Sequence, residues 1–185
     1  ILGRFTDKII CLSNQQRKEI LDYKIGDKDK VISVPLGVDL KNFIDLNRYK
    51  GQLRKELGIK STTLLIGIVA RLVPVKNHEM IINVINNLVI EGAFNNTKVL
   101  FIGDGELKDH LMELVYEKNL ENVILFLGFR KNLGKIYSDL DIVALTSINE
   151  GLPISLIEAM ASGLPIISTN VGGVSDLLEH KSDKK

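Results

Sequence analysis

Five short runs of aliphatic and β-branched residues, at 64–70, 98–102, 123–127, 142–145 and 165–168, alternate with longer stretches of helical character. Strand-length segments that are apolar throughout have to be covered on both faces, and helical connections between them make neighbouring strands run parallel. Helices are expected at 77–91, 106–118, 132–138 and 153–161. Within 79–89 the apolar residues Met80, Ile81, Val84, Ile85 and Leu88 recur at the spacing of one helix face. The predicted class is α/β, a parallel sheet with helices on both faces. Upstream, 8–12 and 31–34 read as two more strands with a helix at 15–22 between them, and 174–179 is helix-like. Residues 37–60 differ: a turn at Gly37-Val38-Asp39, then a polar stretch with a short helix at 51–57. The expected organisation is a tail of a preceding domain at 1–36, a connection at 37–60, a main domain at 61–180 and a disordered lysine-rich tail at 181–185. The chain opens at Ile1 and closes in Lys-Ser-Asp-Lys-Lys, so it is read as a piece of a longer polypeptide.

Composition excludes several functions. With 24 basic and 23 acidic residues the net charge is +1, which argues against a nucleic-acid or membrane-binding surface. One cysteine, Cys11, leaves no internal disulfide and fits a reducing cytosol, so a cytoplasmic location is expected. No apolar run approaches the roughly 18 residues of a membrane helix, and no signal peptide is visible. His78, His110 and His180 are scattered among polar neighbours and are taken as surface residues. No Cys/His/Asp cluster has metal-ligand spacing, and Gly-x-Ser-x-Gly is absent.

In open α/β sheets ligands bind beyond the carboxyl ends of the strands, and the chemically suggestive residues fall there. Arg71 follows the run 64–70, and Lys76 stands just before the helix at 77. A planar fork and a point charge at a helix start can neutralise a pyrophosphate; two solvated loop charges are the plainer reading. Gly103-Asp104-Gly105 lacks the third glycine of a dinucleotide fingerprint, since Lys108 stands in its place, and a tight turn explains it as well. Gly128-Phe129-Arg130 can meet a base edge through its backbone, or can simply end a strand with one core aromatic. Gly172-Gly173 permits close backbone approach to a ligand, or only a loop. Asp139 and Asp141 are expected to flank a strand start.

The acids Glu150 and Glu158 are the sharpest signal. Seven residues separate them, and Pro153 is placed at the first helical position, where a missing N–H costs nothing. Glu150 then lies outside the helix and Glu158 about 7 to 8 Å along its axis. Glu158 is the single charge between Gly151 and Asn170. A carboxylate in so apolar a setting needs hydrogen-bond donors, which a hydroxyl-rich, phosphate-bearing ligand supplies. The alternatives remain a first-turn acid favoured by the helix dipole and a partly exposed helix residue.

Arg71-Leu-Val-Pro-Val-Lys76-Asn, Phe101-Ile-Gly-Asp-Gly105, Phe126-Leu-Gly-Phe-Arg130, the segment from Glu150 through Glu158 to Pro165, and Thr169-Asn-Val-Gly-Gly173 occur in that order. Together they resemble the nucleotide-sugar-binding domain of a group 1 (family 4) retaining glycosyltransferase. The resemblance implies the C-terminal, Rossmann-like half of a GT-B fold, with 1–36 as the tail of the N-terminal domain. It assigns Arg71 and Lys76 to the donor diphosphate and the leaving nucleotide. It assigns Glu150 to the sugar hydroxyls and anomeric carbon, and Glu158 to the ribose. Gly128, Phe129 and Arg130 would hold the base, the N–H groups of Ile154 and Ser155 would face a phosphate, and Gly151 and Leu152 would belong to the same donor-binding set. No metal or other cofactor is implied. The acceptor would sit on the N-terminal domain, through which any membrane contact would run, and a chain lacking that domain is expected not to turn over. Leu36, Leu152-Pro153 and Ser175-Asp176 depart from the family's usual residues. A nucleotide-sugar 2-epimerase of the same fold and a non-catalytic nucleotide-binding module are the competing readings.

Overall fold

A computed structural model describes residue 3 and residues 5–178. The expected tail at 181–185, His180 and the end of the helix expected at 174–179 lie outside the described residues. The chain forms two compact units. The larger comprises Asp39–Ile148 and Ser155–Ser168; the smaller comprises the described residues of Ile1–Val38, Asn149–Ile154 and Thr169–Lys185. Among the described residues no helix is long and apolar enough to cross a membrane.

The smaller unit contains β1 (Ile9–Cys11), α1 (Asn14–Asp22) and β2 (Val31–Ser33), with the two strands parallel and Ile10 opposite Ile32. Ser13 caps α1 by accepting from the Gln16 N–H at 3.1 Å. Asp176 adds a second acceptor, taking the Asn14 N–H at 2.5 Å and the Gln15 N–H at 3.3 Å. Asp176 is thus a second cap of α1.

The larger unit opens with two 3-10 turns, Lys41–Phe43 and Asn47–Tyr49, and a five-residue helix α2 (Gln52–Glu56). Its sheet has five parallel strands: β3 (Leu64–Val69), β4 (Thr97–Ile102), β5 (Ile124–Gly128), β6 (Ile142–Leu145) and β7 (Ile166–Ser168). The order is β5-β4-β3-β6-β7. The chain therefore builds outward from β3 to β5, then returns to the other side of β3, and the topology reverses between β3 and β6. Helices α3 (His78–Ile90) and α4 (Lys108–Glu117) bury Ile82, Ile85, Leu111 and Val115 against Ile68, Val99 and Phe101 of the sheet. On the opposite side of β3, Gly67 leaves room for Leu140, against whose side chain any Cβ would press. Helices α5 (Leu133–Tyr137) and α6 (Ile154–Ala161) complete the connections, and α7 (Val174–Leu178) follows the last strand.

Three expectations change. The fifth strand is not fully buried: Ile167 of β7 is 62% exposed, because β7 is an edge with a single neighbour. The inward face of α3 is His78, Ile82 and Ile85, whereas Met80 and Val84 stand in solvent, so the expected apolar face is rotated from the real one. Asp139 does more than flank a strand. It is fully buried and accepts the N–H groups of Gly51, Leu53 and Arg54 at the start of α2. Arg54 donates in turn to the carbonyls of Lys60, Thr63 and Asp139 and pairs with Asp141 at 2.7 Å. The buried guanidinium thus spends its donors on fixed acceptors, as a charge removed from water requires.

Candidate functional site

The exits of β3, β4 and β5 are laced together by main chain. The Ala70 N–H donates to Ile102, Leu72 to Asp104, Leu107 to Leu72, and Gly103 to Gly128. A Cβ on Gly103 would overlap the Ala70 carbonyl, and one on Gly105 would overlap the Leu72 backbone. These glycines are required by the approach of two loops, whatever stands at position 108. The tight-turn reading accounts for them.

Above this lacing lies a cavity of about 390 Å³. Of the described residues, Val69, Ala70, Arg71, Ile102, Gly103, Asp104, Phe129, Arg130 and Leu133 line it. Arg71, Phe129 and Arg130 from the sequence reading are therefore brought together, and Gly128 adjoins them with its carbonyl already bound by Gly103. Phe129 is 71% exposed, which rules out a core aromatic. A large aromatic left in water beside an apolar cavity offers a flat face for a planar ligand. Arg130 is anchored by its Nε to the Leu127 carbonyl at 3.1 Å and by Nη1 to Glu56 at 2.8 Å, and Lys135 reaches the other Glu56 oxygen at 2.6 Å. The Lys135 and Arg130 hydrogen bonds hold the Glu56 carboxyl below the ordinary range. Glu56 carried no local signal, since it lies 74 positions from Arg130 in the chain.

Lys76 ends a 3-10 turn, Pro74–Lys76, after β3. The turn is fixed to the exit of β6: the Thr146 hydroxyl donates to the Lys76 carbonyl at 3.0 Å, and the Ile148 N–H to the Val75 carbonyl at 2.9 Å. The loop carrying Arg71 and Lys76 thus sits where the strand order reverses, the usual location of a ligand in an open α/β sheet. Behind it His78 is 1% exposed, with neither ring nitrogen hydrogen-bonded and its ring in a T-shaped contact with Phe101, centroids 4.9 Å apart. Burial, and secondarily the positive charge of Lys76, pull its pKa down to about 4. His78 is no surface residue. Its spacing from Ile82 and Ile85 places it on the core face of α3, and that spacing was readable. His110 is exposed as expected, 3.0 Å from Glu79.

Glu158 is half-buried on α6 and finds its donor inside the protein: the Tyr137 hydroxyl, 2.9 Å from Oε2 and 3.1 Å from the Ser155 carbonyl. Burial raises the Glu158 pKa and the tyrosine hydrogen bond works against that rise. Burial and the adjacent carboxylate push the Tyr137 phenol well above its ordinary range. Tyr137 is 1% exposed and was not singled out in the sequence.

In the smaller unit Glu150 is 7% exposed and its carbonyl accepts the Gly173 N–H at 3.0 Å. A Cβ on Gly172, at φ +51°, would overlap the Glu150 carbonyl, and one on Gly173 the Gly151 carbonyl. The glycine pair serves close passage of backbone past backbone. Gly151 lies beside Gln16, Leu152 is partly exposed, and helix α6 begins at Ile154, so Pro153 directly precedes the helix and does not occupy its first position. Among the described residues no group of three or more His, Cys, Asp or Glu side chains could hold a metal ion.

Comparison with known proteins accords with the fold. The family model for group 1 glycosyl transferases matches residues 50–184. A UDP-Gal:alpha-D-GlcNAc-diphosphoundecaprenol alpha-1,3-galactosyltransferase of Escherichia coli is 30% identical over 98% of this chain and 47% of its own length. An N-acetyl-alpha-D-glucosaminyl L-malate synthase of Bacillus anthracis is 32% identical over 75% of this chain and 37% of its own. The crystal structure of HepE from Anabaena in complex with UDP and glucose superposes with a TM-score of 0.85 at 25% identity, over 96% of this chain and 48% of that one. The chain spans about half the length of the curated relatives it matches. It belongs to the group 1 glycosyltransferase family.

Proposed function

We propose, with family membership as the premise, that this chain is the donor-binding part of a glycosyltransferase. The enzyme would move a sugar from a nucleoside diphosphate to an acceptor with retention at the anomeric carbon. The observation that carries the reading is the cavity over the carboxyl ends of β3, β4 and β5, with Arg71 on its wall and Phe129 exposed beside it. Phe129 and the backbone of Gly128 and Arg130 face the base. Arg71 supplies a planar fork to the diphosphate and Lys76 a point charge. Glu158 accepts from the ribose hydroxyls, and Ser155 lies in the first turn of its helix, toward phosphate.

Departure of the nucleotide builds negative charge on the diphosphate. Fixed cations stabilise that charge most effectively when they are in place before it forms. The backbone pinning of the loop at Val75 and Lys76 supports such preplacement of the Arg71 and Lys76 charges, and the proposal assigns the diphosphate to them without a metal. Two relatives support the ligand class: HepE was solved with UDP and glucose, and the E. coli relative is named for UDP-galactose and a lipid-linked diphosphate acceptor. A role in bacterial surface-glycan assembly follows the same direction. The acceptor is proposed to be held by residues outside these 185.

A thermal-shift series with UDP, GDP, ADP and their sugars tests this reading. A ligand at a hundredfold excess over Kd adds about 2.7 kcal/mol, worth roughly 5–10 °C for a chain of this size. A saturable rise with at least one nucleotide, lost in Arg71→Ala and Glu158→Ala, is the expected result. A flat response to every nucleotide refutes it.

A further inference from the structure

We infer that Tyr137 is a positioning residue: its hydroxyl fixes the Glu158 carboxylate in the orientation that receives the ribose hydroxyls of the donor. The inference rests on the proposed role of Glu158 and assigns a function to a residue that does not itself touch the ligand.

The geometry carries it. The Tyr137 ring is buried and packs edge-on against Phe43, centroids 5.5 Å apart and planes at 82°. Helix α5 is held at its start by Asn132, whose side chain accepts the Lys135 N–H at 3.3 Å. The phenol therefore has little freedom, and its single proton is presented to Glu158 Oε2. The Ser155 carbonyl stands 3.1 Å from the same hydroxyl and competes for its one proton, but the carboxylate, nearer at 2.9 Å and charged, is the stronger acceptor. A flexible Glu on a helix samples several rotamers, and binding must otherwise restrict them. Anchoring one oxygen leaves the carboxylate plane set and its remaining lone pairs for a vicinal diol. Burial raises the carboxyl's pKa, and the tyrosine hydrogen bond is the opposing influence that favours the accepting, ionised form.

The test uses the wild-type chain, Tyr137→Phe, Glu158→Gln and the double variant, titrated calorimetrically with UDP and with 2′-deoxy-UDP. Wild type should prefer UDP by about tenfold or more, since a site built to accept a hydroxyl proton loses that bond to the deoxy ligand. Tyr137→Phe removes one oxygen atom and should reduce the preference to about twofold or less, mainly by weakening UDP. In the Glu158→Gln background the same change should add nothing. Loss of UDP binding on acidification should also begin at higher pH in Tyr137→Phe than in wild type. The preference is a ratio of two affinities measured on one sample, so a partly unfolded variant does not distort it. A preference unchanged in Tyr137→Phe overturns the inference while leaving the role of Glu158 intact. A wild-type chain that binds both ligands equally, with Glu158→Gln indistinguishable from it, overturns the role of Glu158 and this inference with it.

Discussion

Replacing His78 by leucine should make the chain's stability far less sensitive to acid. In the folded state burial and the charge of Lys76 hold the imidazole neutral down to about pH 4. In the unfolded chain it takes up a proton near its ordinary value of about 6.5. Between those limits the unfolded state binds more protons, so this residue makes stability rise with pH and fall as acid is added. The gap of about 2.5 units, at about 1.36 kcal/mol each, amounts to about 3 kcal/mol lost between pH 6.5 and pH 4. The assay is urea unfolding of wild type and His78→Leu at half-unit intervals from pH 7.5 to pH 4. Every other titrating group is common to both chains and cancels in the difference. The variant should gain on wild type by about 3 kcal/mol across that range, and the His78 resonances, identified by their absence from His78→Leu, should titrate near pH 4 in the folded wild type. A stability difference that stays flat with pH would refute the argument from burial.

Two further substitutions probe separate parts of the larger unit. Asp139→Ala strips three backbone N–H groups at the start of α2 of their buried acceptor; it should cost about 3 kcal/mol in chemical unfolding, and a cost under 1 kcal/mol would count against that network. Phe129→Ala removes an exposed ring, so the melting temperature should hold within about a degree while UDP affinity falls roughly tenfold by calorimetry.

Much of the fold was legible because buried parallel strands announce themselves: Leu64–Val69, Thr97–Ile102 and Ile142–Leu145 are apolar at almost every position, and solvent could not tolerate them otherwise. The strand order was not legible, because pairing of β3 with β6 joins segments over seventy residues apart and no local residue records it. Helix α3 was misphased since every residue from Met80 to Ile90 is apolar or amide-bearing, and the core position taken by His78 breaks the expected chemistry. Of the proposed site residues, Arg71, Phe129 and Arg130 stood out in the sequence by their chemistry, and the fold brings those three to one cavity. Tyr137 and Glu56 did not, since each matters through a partner distant in sequence, Glu158 and Arg130 respectively. The glycines were ambiguous for a related reason: Gly103 and Gly172 are needed where another stretch of backbone passes, which only the fold discloses.

The most direct test of a nucleotide seat over β3, β4 and β5 is amide chemical-shift mapping of the labelled chain during a UDP titration. Saturable shifts should concentrate at residues 70–72, 103–104 and 128–130, with Val89 and Ile90 at the far end of α3 unmoved. Shifts that never saturate, or that saturate elsewhere while those three loops stay still, would contradict the account.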